Sequence, residues 1–124
     1  MSYVIDGIEQ LDAEELAVLL KEENDTIVID VREYDEYDQA HIPGIPLIPM
    51  HTIPQHVEKL EKSQSYLFIC RSGSRSQQVA LYLKEQGFDD VKNFAGGMLT
   101  WDGEVESGLE WVVKDVKELD GNEG

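Results

Sequence analysis

Thr26–Val31, Tyr66–Cys70 and Val91–Phe94 are short runs rich in β-branched and aromatic residues, set far apart along the chain. They lie too far from one another for tight hairpins, and helical periodicity fills the gaps. That alternation constrains the fold more than any other feature. Thr26-Ile27-Val28-Ile29-Asp30-Val31 reads as a strand buried on both faces. Asp12-Ala13-Glu14-Glu15 is a capping box, and Leu16, Leu19 and Leu20 give one apolar face, so a helix is predicted over 13–22. Glu33–Gln39 is read as a short acidic helix, and His41-Ile42-Pro43-Gly44 as a turn. Leu47-Ile48-Pro49 is read as a second short strand. Thr52 is expected to cap a third helix, with Pro54 in its first turn and Val57 and Leu60 facing inward. Gln77–Gln86 is predicted as a fourth helix, ended by Gly87. Gly96-Gly97 breaks the chain, and Met98–Trp101 packs back as a turn. The resulting order, helix then strand four times over, predicts an α/β fold of three layers, with helices flanking a mostly parallel central sheet.

The chain has 124 residues, enough for one domain and one core. The expected boundaries are a domain over 1–108 and an extension over 109–124. Leu109, Trp111, Val112, Val113, Val116 and Leu119 would dock that extension, and its acidic end is expected to fray. No apolar run approaches the roughly 18 residues of a membrane span. The start, Met1-Ser2-Tyr3-Val4-Ile5-Asp6, lacks the basic and apolar regions of a signal peptide. One cysteine cannot form an internal disulfide, and a reducing cytoplasm is the expected compartment. The net charge of −16, from 26 acids against 10 bases, argues against nucleic acid and anionic membrane as partners. It does not forbid a small anion, because screening over about 8 Å lets local arginines dominate inside a pocket.

The single cysteine stands in Ile69-Cys70-Arg71-Ser72-Gly73-Ser74-Arg75-Ser76, between a predicted strand and a predicted helix. Sites in parallel sheets form beyond the carboxyl ends of strands. A helix N-terminus offers unpaired N–H groups and partial positive charge. Gly73 lets the backbone curl so that successive N–H groups point inward, and Arg71 and Arg75 add full charges. Each feature favours a thiolate over a thiol. A structural cysteine ending a strand needs no such cup, so Cys70 is read as a nucleophile beside an anion-binding nest. His41, His51 and His56 fit no zinc spacing, and His41 is expected to serve its turn by hydrogen bonding. Tyr34, Tyr37 and Trp101 are expected to pack in or against the core. No metal and no cofactor are expected.

The loop resembles the active-site loop of the rhodanese family of sulfurtransferases, and the likeness extends from about Ile8 to Gly103. Asp30-Val31-Arg32-Glu33, Glu36-Tyr37 and His41-Ile42-Pro43-Gly44 resemble that family's first motif. Phe94-Ala95-Gly96-Gly97 and Trp101 resemble its closing motif. Ala40 stands where many relatives have glycine. The resemblance implies that Cys70 attacks the outer sulfur of a donor such as thiosulfate and carries that sulfur as a persulfide. It implies that the N–H groups of Arg71, Ser72, Gly73, Ser74, Arg75 and Ser76 hold the sulfur, with Arg71 and Arg75 orienting the anion. Asp30 and Arg32 are read as a supporting ion pair. Ser72 is not basic, although that position is sometimes basic in the family. With no second cysteine, the acceptor is an external thiol or a partner protein. A monomer or weak dimer is expected. Two alternatives stay open. One is a non-catalytic or partner-dependent sulfur-binding module. The other is the phosphatase or arsenate reductase chemistry of related folds, whose loops carry one residue more between cysteine and arginine.

Overall fold

A computed structural model of the chain describes residues 3–120. The expected frayed end falls partly outside them. Nine regular elements form the scaffold. They are β1 (Tyr3–Ile5), β2 (Ile8–Leu11), α1 (Ala13–Lys21), β3 (Ile27–Asp30), α2 (Tyr34–Gln39), α3 (Ile53–His56), β4 (Ser65–Ile69), α4 (Ser74–Glu85) and β5 (Asp90–Phe94). The five strands make one sheet in the order β1-β2-β5-β4-β3. β2, β5, β4 and β3 run parallel, and β1 alone is antiparallel. The α/β class and the mostly parallel sheet agree with the sequence reading.

Side chains alternate across the sheet, as the two-residue strand period requires. Tyr66, Phe68 and Cys70 face one core, with Ile29 and Val31 from β3 and its end and Val79, Ala80 and Leu83 from α4. Leu67 and Ile69 face the other, with Val28, Phe94 and Leu16 from α1. Both faces are covered, which is why these strands show no polar alternation. α1 begins with the expected capping box: Asp12 Oδ1 accepts from Glu15 N at 2.8 Å, and Glu15 Oε1 accepts from Asp12 N at 2.9 Å. Gly87 adopts φ +98 after α4, and Phe88 N donates back to Leu83 O at 3.1 Å, closing the helix.

Four readings need correction. Two strands precede the first helix. Asp6 and Gly7 both have positive φ, as a two-residue hairpin turn of the primed type requires. Leu47-Ile48-Pro49 is not a strand; Leu47 makes single bridges to Asp30 and Val112. Pro46 precedes it and Pro49 ends it, and neither has the N–H group a ladder needs. The helix after the cysteine begins at Ser74, because Gly73 already occupies the N-cap position. The third helix is one α-turn between two 3₁₀ turns, and the Thr52 hydroxyl donates to Pro49 O at 2.8 Å instead of capping it.

Residues 106–113 run beside the segment of His41 and Leu47, which itself bonds to Asp30 at the end of β3. Leu47 N donates to Trp111 O at 2.9 Å and Val113 N to Leu47 O at 3.0 Å. Val113, Val116 and Leu119 are buried in the core that holds Cys70. At the opposite edge Tyr3, Val4 and Ile5 are exposed.

Candidate active site

Cys70 follows the last residue of β4 and is fully buried. Three donors converge on its sulfur: Gly73 N at 3.1 Å, Ser76 N at 3.3 Å and Ser76 Oγ at 3.2 Å. The two amides belong to the start of α4, where N–H groups have no partner within the helix and the helix dipole is positive. The conformation behind this cup demands glycine. Gly73 has φ +95, and a Cβ there would stand 1.9 Å from Ala95 O.

A second turn holds the back of the loop. Met98 N donates to Cys70 O at 2.9 Å, and Leu99 N donates to Arg71 O at 3.0 Å. Gly97 brings this turn close: it has φ +61, and a Cβ would lie 2.4 Å from Arg71 O and 2.6 Å from Cys70 O. The loop carbonyls therefore bond to residues 98 and 99, while N–H groups of Gly73 and Ser76 face the sulfur. This gives Gly97 a physical role beyond the chain break and the motif that the sequence showed.

The two loop arginines part company. Arg71 is exposed and makes no ion pair among the described residues. Arg75 is tied to α2, with Nη1 and Nη2 at 2.7 and 2.8 Å from the two Glu36 oxygens. The Arg75 guanidinium, bonded to the Glu36 carboxylate, is the main reason that group is lowered from 4.5 to about 2. The same bond raises Arg75. Arg75 thus stands at the cup as a fixed, partly neutralised charge. Ser72 and Ser74 are exposed on the rim. A hollow of about 300 Å³ opens beside that rim, between Ser72, Ser74 and Gln77 on one side and Tyr3 and Ile5 on the other.

Asp30 and Arg32 form a buried pair next to the cup. Arg32 Nε lies 3.0 Å from Asp30 Oδ1 and Nη2 lies 2.8 Å from Oδ2. The remaining Nη2 proton reaches Ala40 O at 2.8 Å, tying the end of β3 to the end of α2.

His41 is buried with its ring stacked on Tyr37 at 3.9 Å. Its Nδ1 meets Tyr37 O at 3.0 Å and its Nε2 meets Glu110 Oε1 at 2.8 Å. The Gly44 N–H, and after it His41, hold Glu110 below the usual carboxylate range. Ligand-type atoms of His41, Glu106 and Glu110 come within 4.8 Å of one another; His51 and His56 are not part of that group. Tyr37 is buried and Trp101 stands edge-on to Phe94 at 6.2 Å, but Tyr34 is exposed. Tyr34 is the first residue of α2, three positions before Tyr37 and so on the same side of the helix, but the core covers only the Tyr37 position.

Sequence reasoning passed over Gln10 and Asn93, which lie on β2 and β5 and are 2% exposed. Asn93 reaches both Ser76 and the Gly73 carbonyl. A polar residue in a short strand reads as solvent-facing, and only the packing of α4 across the sheet reveals otherwise.

Comparison with known proteins gives the family and the fold. The rhodanese-like domain family model matches residues 12–104. YtwF of Bacillus subtilis is 41% identical over 80% of this chain and 95% of its own length. The thiosulfate sulfurtransferase GlpE of Coxiella burnetii is 36% identical over 76% of this chain and 84% of its own. Among solved structures, a rhodanese-like domain protein from Staphylococcus aureus superposes with a TM-score of 0.72 at 35% identity, covering 79% of this chain and 96% of that one.

Proposed function

The chain belongs to the rhodanese-like domain family, and we propose that it transfers sulfane sulfur through a persulfide on Cys70. The convergence of Gly73 N, Ser76 N and Ser76 Oγ on the one sulfur carries this reading. Donors fixed in advance around an anion stabilise charge without reorganising during the reaction. The Cys70 thiolate attacks the outer sulfur of thiosulfate, a sulfur–sulfur bond forms, and sulfite leaves with its electron pair. The protein then holds Cys70–S–S⁻. A thiolate or cyanide attacks the outer sulfur, takes it as persulfide or thiocyanate, and returns Cys70 as thiolate. This is covalent catalysis in two half-reactions.

Arg71, exposed at the rim, is assigned to attract and orient the anionic donor. Arg75, tethered by Glu36, is assigned to brace α4 and contribute a fixed field. Ser72 and Ser74 supply rim amides, and Asp30 and Arg32 support the neighbouring strand end. The single cysteine requires an external acceptor, and the hollow between the rim and β1 is the approach assigned to it. The short loop and the tethered Arg75 suit one sulfur atom better than a phosphate, which needs a wider ring of donors. The same tether leaves Arg71 as the only loop cation assigned to an incoming anion.

The test is the intact mass of the protein after incubation with thiosulfate and removal of small molecules. The expected result is a gain of one sulfur atom, reversed by cyanide and absent in Cys70→Ser. No gain in the wild-type protein would refute thiosulfate as the donor.

A further inference from the structure

Cys70 does not have the Ser76 hydroxyl to itself. Ser76 Oγ lies 3.2 Å from Cys70 Sγ and 2.5 Å from Asn93 Oδ1. A hydroxyl carries one proton, so it donates to one of these acceptors at a time. Asn93 cannot turn its amide over to relieve the conflict. Its Nδ2 donates to Gln10 Oε1 at 2.9 Å and to Gly73 O at 3.1 Å, which leaves oxygen facing Ser76. Gln10 is fixed in the same way, with Nε2 donating to Ile8 O at 3.0 Å and to Gln77 Oε1 at 2.6 Å. Gln77 Nε2 ends the series on Ile5 O at 3.1 Å, in the N-terminal hairpin. Ser76 is 0% exposed, and Gln10 and Asn93 are each 2% exposed, so bulk solvent does not supply a second proton.

Two arrangements satisfy these groups. With a proton on sulfur, the S–H donates to Ser76 Oγ and the Ser76 O–H donates to Asn93. With sulfur ionised, the Ser76 O–H turns to sulfur and Asn93 Oδ1 gives up its donor. We propose that Asn93 is a positioning residue for sulfur transfer. It competes with Cys70 for the Ser76 proton, so the hydroxyl reaches sulfur only when that sulfur is charged. The proposal rests on the persulfide reading above. In the persulfide the charge lies on the outer sulfur, and the Ser76 proton returns to Asn93. When an acceptor removes the outer sulfur, charge re-forms on Cys70 Sγ and the proton swings back. A bond that strengthens as charge develops favours the transition state over the ground state. The other charged groups near the thiol are Arg75 on α4, its partner Glu36 on α2, Arg71 on the loop and the Asp30–Arg32 pair at the end of β3; the variants below leave all five in place.

The experiment is the pH titration of the thiolate by ultraviolet absorbance, taken as the difference from Cys70→Ser. The chain's single cysteine makes the signal unambiguous. Ser76→Ala is expected to move the midpoint to higher pH, because the thiolate loses a donor. Asn93→Leu, close in volume, is expected to move it to lower pH, because the Ser76 proton is no longer contested. In the Ser76→Ala background, Asn93→Leu is expected to do nothing further. An equal shift in both backgrounds, or no shift at all, overturns the proposal, since a merely structural Asn93 would change stability alone. If Asn93→Leu fails to fold, Asn93→Ala serves instead. It removes the same acceptor without crowding and is expected to shift the midpoint in the same direction; an unmoved midpoint overturns the proposal. The titration reads the free thiol and needs no sulfur donor. A failed mass gain with a coupled titration would therefore refute the donor and leave the hydroxyl switch standing.

Discussion

β3 and β4 are parallel neighbours, with Asp30 opposite Ile69, and each passes from its last residues into a loop that holds an arginine. The two strand ends handle charge in opposite ways. At β3 the Asp30 carboxylate meets the Arg32 guanidinium in a two-point pair, and the arginine's spare proton goes to a carbonyl. That end is closed and neutral. At β4 the Cys70 sulfur meets two backbone amides and one hydroxyl. A side-chain partner neutralises a charge completely and leaves nothing for a ligand. Peptide groups neutralise it in part and stay in place when the charge moves to a bound atom. Two adjacent ends of one sheet thereby become a strut and a reaction site.

The difference can be broken from the β3 side first. Asp30→Ala leaves Arg32 buried without its partner, and a loss of about 3–5 kcal/mol is expected in urea unfolding. Replacing both residues by apolar ones of similar volume should restore most of it, as befits a strut. On the β4 side, Gly97→Ala forces a Cβ toward the Cys70 and Arg71 carbonyls at an unfavourable φ. A cost of about 2 kcal/mol is expected, together with slower persulfide formation in the protein that still folds, read by intact mass over time. Glu36→Gln sharpens the contrast with a smaller effect. Glu36 is lowered from 4.5 to about 2 when folded, so its pairing stabilises the protein above the ordinary carboxylate range and is lost as pH falls toward 2. The melting temperature of the wild type should exceed that of Glu36→Gln at neutral pH, and the gap should close between pH 4.5 and 2. The smallest effect expected is that of salt. With a net charge of −16, kcat/KM for thiosulfate should rise from low to moderate ionic strength, in steady-state assays at fixed pH. A flat or falling profile would show that the local cup outweighs the distant acids.

Legibility in the sequence followed the range of the interactions. The capping box before α1, the Gly87 stop, the β-branched runs and the cysteine loop are local patterns, and all appear where the sequence places them. The Asp6-Gly7 turn was equally local and carried a hairpin signal, but its flanking strands are too short to show a period. The Arg75–Glu36 tether, the Met98 and Leu99 amides behind the loop, and the Asn93–Gln10 connection were not legible. Each joins residues distant in sequence through a contact that exists only once the layers pack. The Tyr34 misreading has the same origin, since an aromatic at a helix start does not announce whether the core reaches the first turn.

The cup at Cys70 is built from peptide groups, each a small dipole whose carbonyl and N–H are fixed to neighbouring atoms. Gly73 N and Ser76 N are aimed at the sulfur by the left-handed φ of Gly73 and by the first turn of α4, not by any group that gains or loses a proton. The electropositive lining is therefore permanent: acid cannot switch it off, dilution of salt cannot strip it, and substitutions at Ser72 or Ser74 leave it intact. A protein can then carry a heavily acidic exterior, as this one does, without eroding the polarity of its most important few cubic ångströms.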